Sequence, residues 1–153
     1  MHRVLVLGAG KIGSLIACLL AGRATYDVHL GDISIDGPQH LVEGLDLARV
    51  TPCILDVRHP DAVSTYLAAH PVDAVVSSLP YYCNPTVAGL ALTHGLHYFD
   101  LTEDVEVTNQ IRVLSTGAPH AFVPQCGLAP GFIGAGPSEV PHEMISPGNS
   151  VMS

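Results

Sequence analysis

The sequence has no tryptophan and a single lysine, Lys11, and only 13% of its 153 residues are charged and 5% aromatic. Net charge is −8, with five scattered arginines beside that lysine. Without clustered cations to displace phosphate counterions, no nucleic-acid partner and no anionic membrane surface is expected. No stretch approaches the ~20 apolar residues of a membrane span. The run Val4 to Leu7 is cut short by glycines, so it does not make a signal peptide. Cys18, Cys53, Cys83 and Cys126 are widely spaced with no CxxC pair, which suits free thiols in a reducing compartment, and a cytoplasmic location is expected. Phosphate-loop lysine and Gly-x-Ser-x-Gly motifs are missing. Nine histidines offer one close pair, His94-x-x-His97, without cysteine or carboxylate partners at ligand spacing, and no metal site is expected.

What is present is aliphatic: 48% of residues are hydrophobic. Low charge and high aliphatic content suit an α/β fold in which central strands are covered on both faces. Short apolar runs alternate with helical patterns. Strands are expected at Arg3 to Leu7, Asp27 to Leu30, Cys53 to Leu55, Ala74 to Ser77, His97 to Phe99 and Ala121 to Val123. Ile12, Leu15, Ile16, Leu19 and Leu20 recur at helical spacing and read as one apolar face, with Gly22 as the stop. Gly37-Pro38 reads as a turn before a short helix from Gln39 to Leu47. Pro60 starts a further helix, Asn84-Pro85 reads as a cap followed by a first helical residue, and Thr102 reads as a hydroxyl cap with Glu103 and Asp104 favoured at the positive end of the helix dipole. The six strands and their crossover helices predict a Rossmann doubly wound parallel sheet, order 3-2-1-4-5-6, with helices on both faces. Residues 1–135 are expected to form this domain, and 136–153, rich in proline, glycine and serine without periodicity, an irregular or disordered tail.

The chemistry starts at Gly8-Ala9-Gly10-Lys11-Ile12-Gly13. A Gly-x-Gly-x-x-Gly run is weak alone, but here it leaves an aliphatic strand and opens an amphipathic helix, the context a dinucleotide fingerprint requires. Gly8 permits the tight turn, Gly10 lets the backbone approach a pyrophosphate, and Gly13 lets the helix pack closely on the sheet. The phosphates would meet free amides at the helix N-terminus. Asp32, nineteen residues beyond Gly13, lies at the end of the second strand, where a carboxylate can accept the adenine ribose hydroxyls. A 2′-phosphate there would meet a like charge, and Ile33-Ser34 supplies no arginine, so NAD is expected over NADP. Asp56-Val57, at the end of the third strand, would flank the adenine. Ser78-Leu79-Pro80, after the fourth, would lie near the ribose and nicotinamide. A methyltransferase loop usually has alternating glycines, and Ile12 interrupts that pattern. A short-chain dehydrogenase needs a Tyr-x-x-x-Lys pair, and the only lysine sits in the glycine loop. Asp100, Thr102, Glu103 and Cys126 follow strands five and six on the same edge, but no catalytic acid or base is assigned to them.

The runs VLVLGAGKIGS, LDVRHPDAV, VVSSLPYYCNPTVA, HYFDLTED and VPQCGLAPGF, in this order and spacing, resemble the saccharopine dehydrogenase family, with saccharopine reductase and lysine 6-dehydrogenase types nearest, over residues 3 to 134. The resemblance implies an NAD(P)-binding domain of an amino-acid oxidoreductase that transfers hydride at a carbon–nitrogen centre. It also implies a second domain that completes the substrate pocket and commonly mediates homodimerisation in full-length members. Ala129 departs from the aspartate many members carry in Cys126-Gly127-Leu128-Ala129-Pro130-Gly131, and makes saccharopine itself a less secure substrate. Family enzymes are also much longer, so the substrate domain is expected to be absent here. The alternative is then a catalytically inactive cofactor-binding or accessory module.

Overall fold

The computed structural model describes residues 1–45 and 48–127. Strand β1 (His2–Leu7) leads into helix α1 (Lys11–Ala21), then β2 (Tyr26–Asp32), α2 (Asp36–Leu45), β3 (Val50–Ile54), α3 (Pro60–Ala69) and β4 (Ala74–Ser77). A single 3₁₀ turn, Tyr81–Cys83, precedes α4 (Asn84–His94), and β5 (His97–Asp100), α5 (Val105–Leu114) and β6 (Phe122–Val123) complete the order. All five pairings are parallel, and the strands lie β3-β2-β1-β4-β5-β6. This is the predicted order. The tail assigned to residues 136–153 lies outside the described residues.

From Val4 to Leu7, β1 is aliphatic without a polar break and is buried on both faces. Leu5 and Leu7 join the core under α3, α4 and α5, with Val63, Leu67, Val75, Val87, Tyr98 and Ile111. Val4 and Val6 join the opposite core with Ala17, Val28, Leu30 and Val50. Burying each valine, leucine or isoleucine among these stabilises the fold by ~1.5–3 kcal/mol. The crossing from one face to the other falls between β1 and β4, which opens a crevice at their carboxyl ends, where ligands of doubly wound sheets bind.

Several local expectations differ from the structure. Ile12, Leu15 and Leu19 do not face the sheet: they are exposed, and Gly13 and Ala17 are the buried residues of α1. A Cβ on Gly13 would stand 1.8 Å from the Gly8 carbonyl oxygen. The helix therefore runs so close to the loop that only small residues fit beneath it, while Ile16 and Leu20 pack at its flanks. Gly37 and Pro38 lie inside the first turn of α2, where the missing proline N–H is tolerated. Strand β3 begins at Val50 and includes Pro52. Asn84 is not a cap: the 3₁₀ turn precedes it, and its buried side chain accepts a 2.7 Å hydrogen bond from the Ser77 hydroxyl. The cap of α5 is Asp104, which accepts from the Val107 amide at 2.8 Å, while the Thr102 hydroxyl accepts from the Asp104 amide.

Candidate dinucleotide site

The loop between β1 and α1 is fixed at both ends. The Gly8 amide donates to the Gly31 carbonyl, and the Ser78 amide to the Leu7 carbonyl, each at 2.8 Å. Gly8 has φ +98°, and a Cβ there would meet the Ser78 carbonyl oxygen at 2.5 Å, so position 8 accepts only glycine without strain. Gly10 is different. Its φ of −70° suits any residue, and nothing lies within 4 Å of where its Cβ would stand. The first hydrogen bond of the helix runs from the Ser14 amide to the Gly10 carbonyl at 2.9 Å. The amides of Lys11, Ile12 and Gly13 precede it, as orphan donors of a helix N-terminus do. Bare amides beside an open glycine face form a cradle that a side chain would fill and that fits a pyrophosphate.

Asp32 ends β2 next to this cradle. One carboxylate oxygen accepts from the Ala9 amide and the other from the Ile33 amide, both at 2.7 Å. These bonds aim the carboxylate at the loop, and a carboxylate has about four acceptor sites, so two remain. The chain then turns after β3 through Asp56 and Arg58. The guanidinium binds the carboxylate in a fork, with contacts of 2.7 to 3.0 Å, and the Arg58 amide donates to the same carboxylate at 2.9 Å. Hydrogen bonds from the Arg58 side chain and then from its amide hold the Asp56 carboxyl down at about 2.

Two adjoining grooves follow the carboxyl edge. The first, about 360 Å³, brings together Gly8, Gly10, Asp32, Asp56, Val57, Ser78, Leu79 and Pro80. The second, about 530 Å³, shares Ser78 and Leu79 and adds Ile12, Tyr81, Thr102 and Glu103. Gly13 lies beneath the loop, and Lys11 is exposed at the start of α1 without lining either groove. Arg58, Tyr82 and Cys83 of the first groove were not singled out from the sequence. The Asp56-x-Arg58 spacing at a strand end was the available signal for Arg58.

The candidates beyond β5 are occupied otherwise. Asp100 is fully buried and accepts from the Tyr98 hydroxyl at 2.7 Å and from the Thr102 and Gln125 amides at 3.0 Å. Burial first, then the bond to Asp100, pushes the Tyr98 phenol far upward, so it stays a donor. Gln125 takes a left-handed φ of +61° to reach this carboxylate. The Cys126 thiol donates to the Val123 carbonyl, and burial followed by the neighbouring Asp100 raises its pKa, which disfavours the nucleophilic thiolate. Glu103 is exposed in the second groove.

Residues 4–121 match the family described as "Saccharopine dehydrogenase NADP binding domain". The chain belongs to that family. Its fold is shared with apo saccharopine dehydrogenase (L-Glu forming) from Saccharomyces cerevisiae, at TM-score 0.73 and 23% identity over 86% of this chain. It is also shared with a putative myo-inositol dehydrogenase from Sinorhizobium meliloti, at TM-score 0.63, 20% identity and 81% coverage. A myo-inositol dehydrogenase from Corynebacterium glutamicum matches at TM-score 0.61, 21% identity and 81% coverage. This member of the saccharopine dehydrogenase family spans 28% of the length of the yeast enzyme and 36% of each myo-inositol dehydrogenase. It is a pyridine-nucleotide-binding domain with a Rossmann fold. Among the described residues, no helix is long and apolar enough to cross a membrane, and no group of three or more His, Cys, Asp or Glu is placed to hold a metal ion.

Proposed function

We propose that residues 1–135 form the NAD-binding domain of an amino-acid oxidoreductase. The observation that carries this is the Asp32 carboxylate, fixed by the Ala9 amide beside the open face of Gly10. Gly8, Gly10, Lys11, Ile12 and Gly13 hold the pyrophosphate, the last three through their amides. Asp32 accepts the ribose hydroxyls, and Asp56 and Val57 border the adenine. Ser78, Leu79 and Pro80 line the path to the second groove, which takes the nicotinamide end. The nicotinamide, when bound, supplies hydride transfer at a carbon–nitrogen centre of a small amino acid, as in saccharopine or lysine oxidation. The chain's own residues bind and orient it, and the substrate is held by a second, family-type domain that also makes the homodimer. Without such a domain the polypeptide serves as a cofactor-binding or accessory module. A place in lysine metabolism and in the cytoplasm belongs to the same reading.

NADP is the second reading, favoured by the description of the family and by the Arg58 guanidinium in the same groove as Asp32. Fluorescence titration with NADH and NADPH decides between them. NADH is expected to bind more tightly, and Asp32→Ala to weaken it by about 1–3 kcal/mol through loss of a charged acceptor. Unchanged NADH affinity in that variant removes Asp32 from the ribose site.

A further inference from the structure

Among the described residues, the groove beside Asp32 is lined by one cation, Arg58, and by two carboxylates, Asp32 and Asp56. Arg58 and Asp56 are joined by three side-chain contacts of 2.7, 2.9 and 3.0 Å. The Arg58 backbone amide bonds the same carboxylate, so the turn folds the arginine back on a residue two places earlier. The Arg58 side chain is nonetheless 73% exposed, and packing does not hold it in place. What fixes its direction is the Asp56 carboxylate.

We propose that the Asp56–Arg58 pair is a coenzyme-selectivity device, in which Asp56 occupies the groove's only cation among the described residues and thereby disfavours a 2′-phosphate. The inference rests on the dinucleotide reading of the groove. A guanidinium fork fits a phosphate as well as it fits a carboxylate. Asp56 takes the Nε and Nη2 donors of Arg58, so a 2′-phosphate must either displace that carboxylate or take the remaining Nη1 edge close beside it, in a groove that already holds Asp32. Ribose hydroxyls carry no charge and make no such demand. The pair therefore discriminates against the phosphorylated ribose without touching the unphosphorylated one, and it adds to the repulsion by Asp32. Removing the Asp56 charge frees the cation and takes away one of the two repelling carboxylates.

The test is fluorescence titration of the full chain with NADH and with NADPH, for the wild type, Asp56→Asn, Asp56→Ser and the double variant Asp56→Asn/Arg58→Gln. The two single variants are expected to tighten NADPH binding roughly five- to tenfold relative to NADH. The double variant is expected to lose that gain, because the freed cation is gone. The serine variant carries the test if the asparagine variant does not fold. The inference is overturned if the single variants leave the NADPH-to-NADH affinity ratio unchanged, if the double variant keeps the gain, or if the wild type prefers NADPH. A wild type that binds neither nucleotide overturns the dinucleotide reading, and the inference with it. A wild type that binds NADH while the ratio stays fixed in the variants overturns the inference alone.

Discussion

The two halves of the sheet's carboxyl edge use polar residues in opposite ways. At the ends of β1 and β2, Asp32 receives two amides and keeps acceptor capacity, and Gly10 presents bare backbone to open space. At the ends of β5 and β6, the Asp100 carboxylate is fully buried and receives the Tyr98 hydroxyl and the amides of Thr102 and Gln125. Ser77 and Asn84 likewise satisfy each other at the end of β4. A carboxylate closing a parallel strand can thus serve either a ligand or its own backbone. Exposure and the number of internal donors distinguish the two. The Asp32 carboxylate keeps acceptor sites free, and the Asp100 carboxylate is spent on holding the chain in place.

That contrast can be broken by substitution. The largest effect is expected at Gly13, where an added methyl group meets backbone rather than a movable side chain. Gly13→Ala should lower stability by roughly 3 kcal/mol through overpacking, and remove NADH binding as the loop is displaced. Chemical denaturation and nucleotide titration of the same sample measure both. Asp100→Ala comes next, with a loss of roughly 2 kcal/mol from stranded buried donors and an unchanged NADH affinity in the folded fraction. A selective loss of NADH affinity with stability intact would place Asp100 in the binding half and dissolve the comparison.

The smallest effect lies away from both halves, at His29 on β2. Its Nδ1 shares a 2.5 Å hydrogen bond with the Tyr66 hydroxyl, and its ring lies 5.8 Å from that of His70. Burial is the main cause of its lowered pKa, followed by the like charges of His70 and Arg3, while Asp27 acts in the opposite direction. The folded chain therefore refuses a proton that the unfolded chain accepts below about pH 6.5. This contribution to stability is present above that pH and is lost as pH falls through the folded value. Denaturation midpoints should drop between about pH 7 and pH 5, less steeply in His29→Gln. An identical slope in the variant would show that other groups carry the pH dependence.

Much of this was legible in the sequence, for identifiable reasons. Strand positions and their order followed from short aliphatic runs punctuated by glycine, because a doubly covered parallel sheet tolerates little else at its centre. Gly8 was legible because the turn off β1 needs a positive φ, and Asp32 because a strand-end carboxylate stands at a fixed offset from the loop, whereas the fold itself makes no such demand at Gly10. Spacing did not reveal which face of α1 is buried. Helical periodicity marks Ile12, Leu15 and Leu19 as apolar, but the close approach at Gly13 puts Gly13 and Ala17 underneath instead. Arg58 was missed because its place depends on where β3 ends and on a carboxylate two residues earlier. The structural use of Asp100 was also hidden, since its donors lie on β5 and beyond β6, up to Gln125.

The proposed pyrophosphate site depends on the cradle at Gly10, and Gly10→Val isolates it. Position 10 has an ordinary φ and open space around its missing Cβ, so the folded chain tolerates the side chain while the approach to the helix amides is blocked. NADH titration of this variant, with its denaturation midpoint as control, is expected to show unchanged stability and at least about a tenfold loss of affinity. Wild-type affinity in a stable Gly10→Val protein would contradict the placement of the pyrophosphate on this loop.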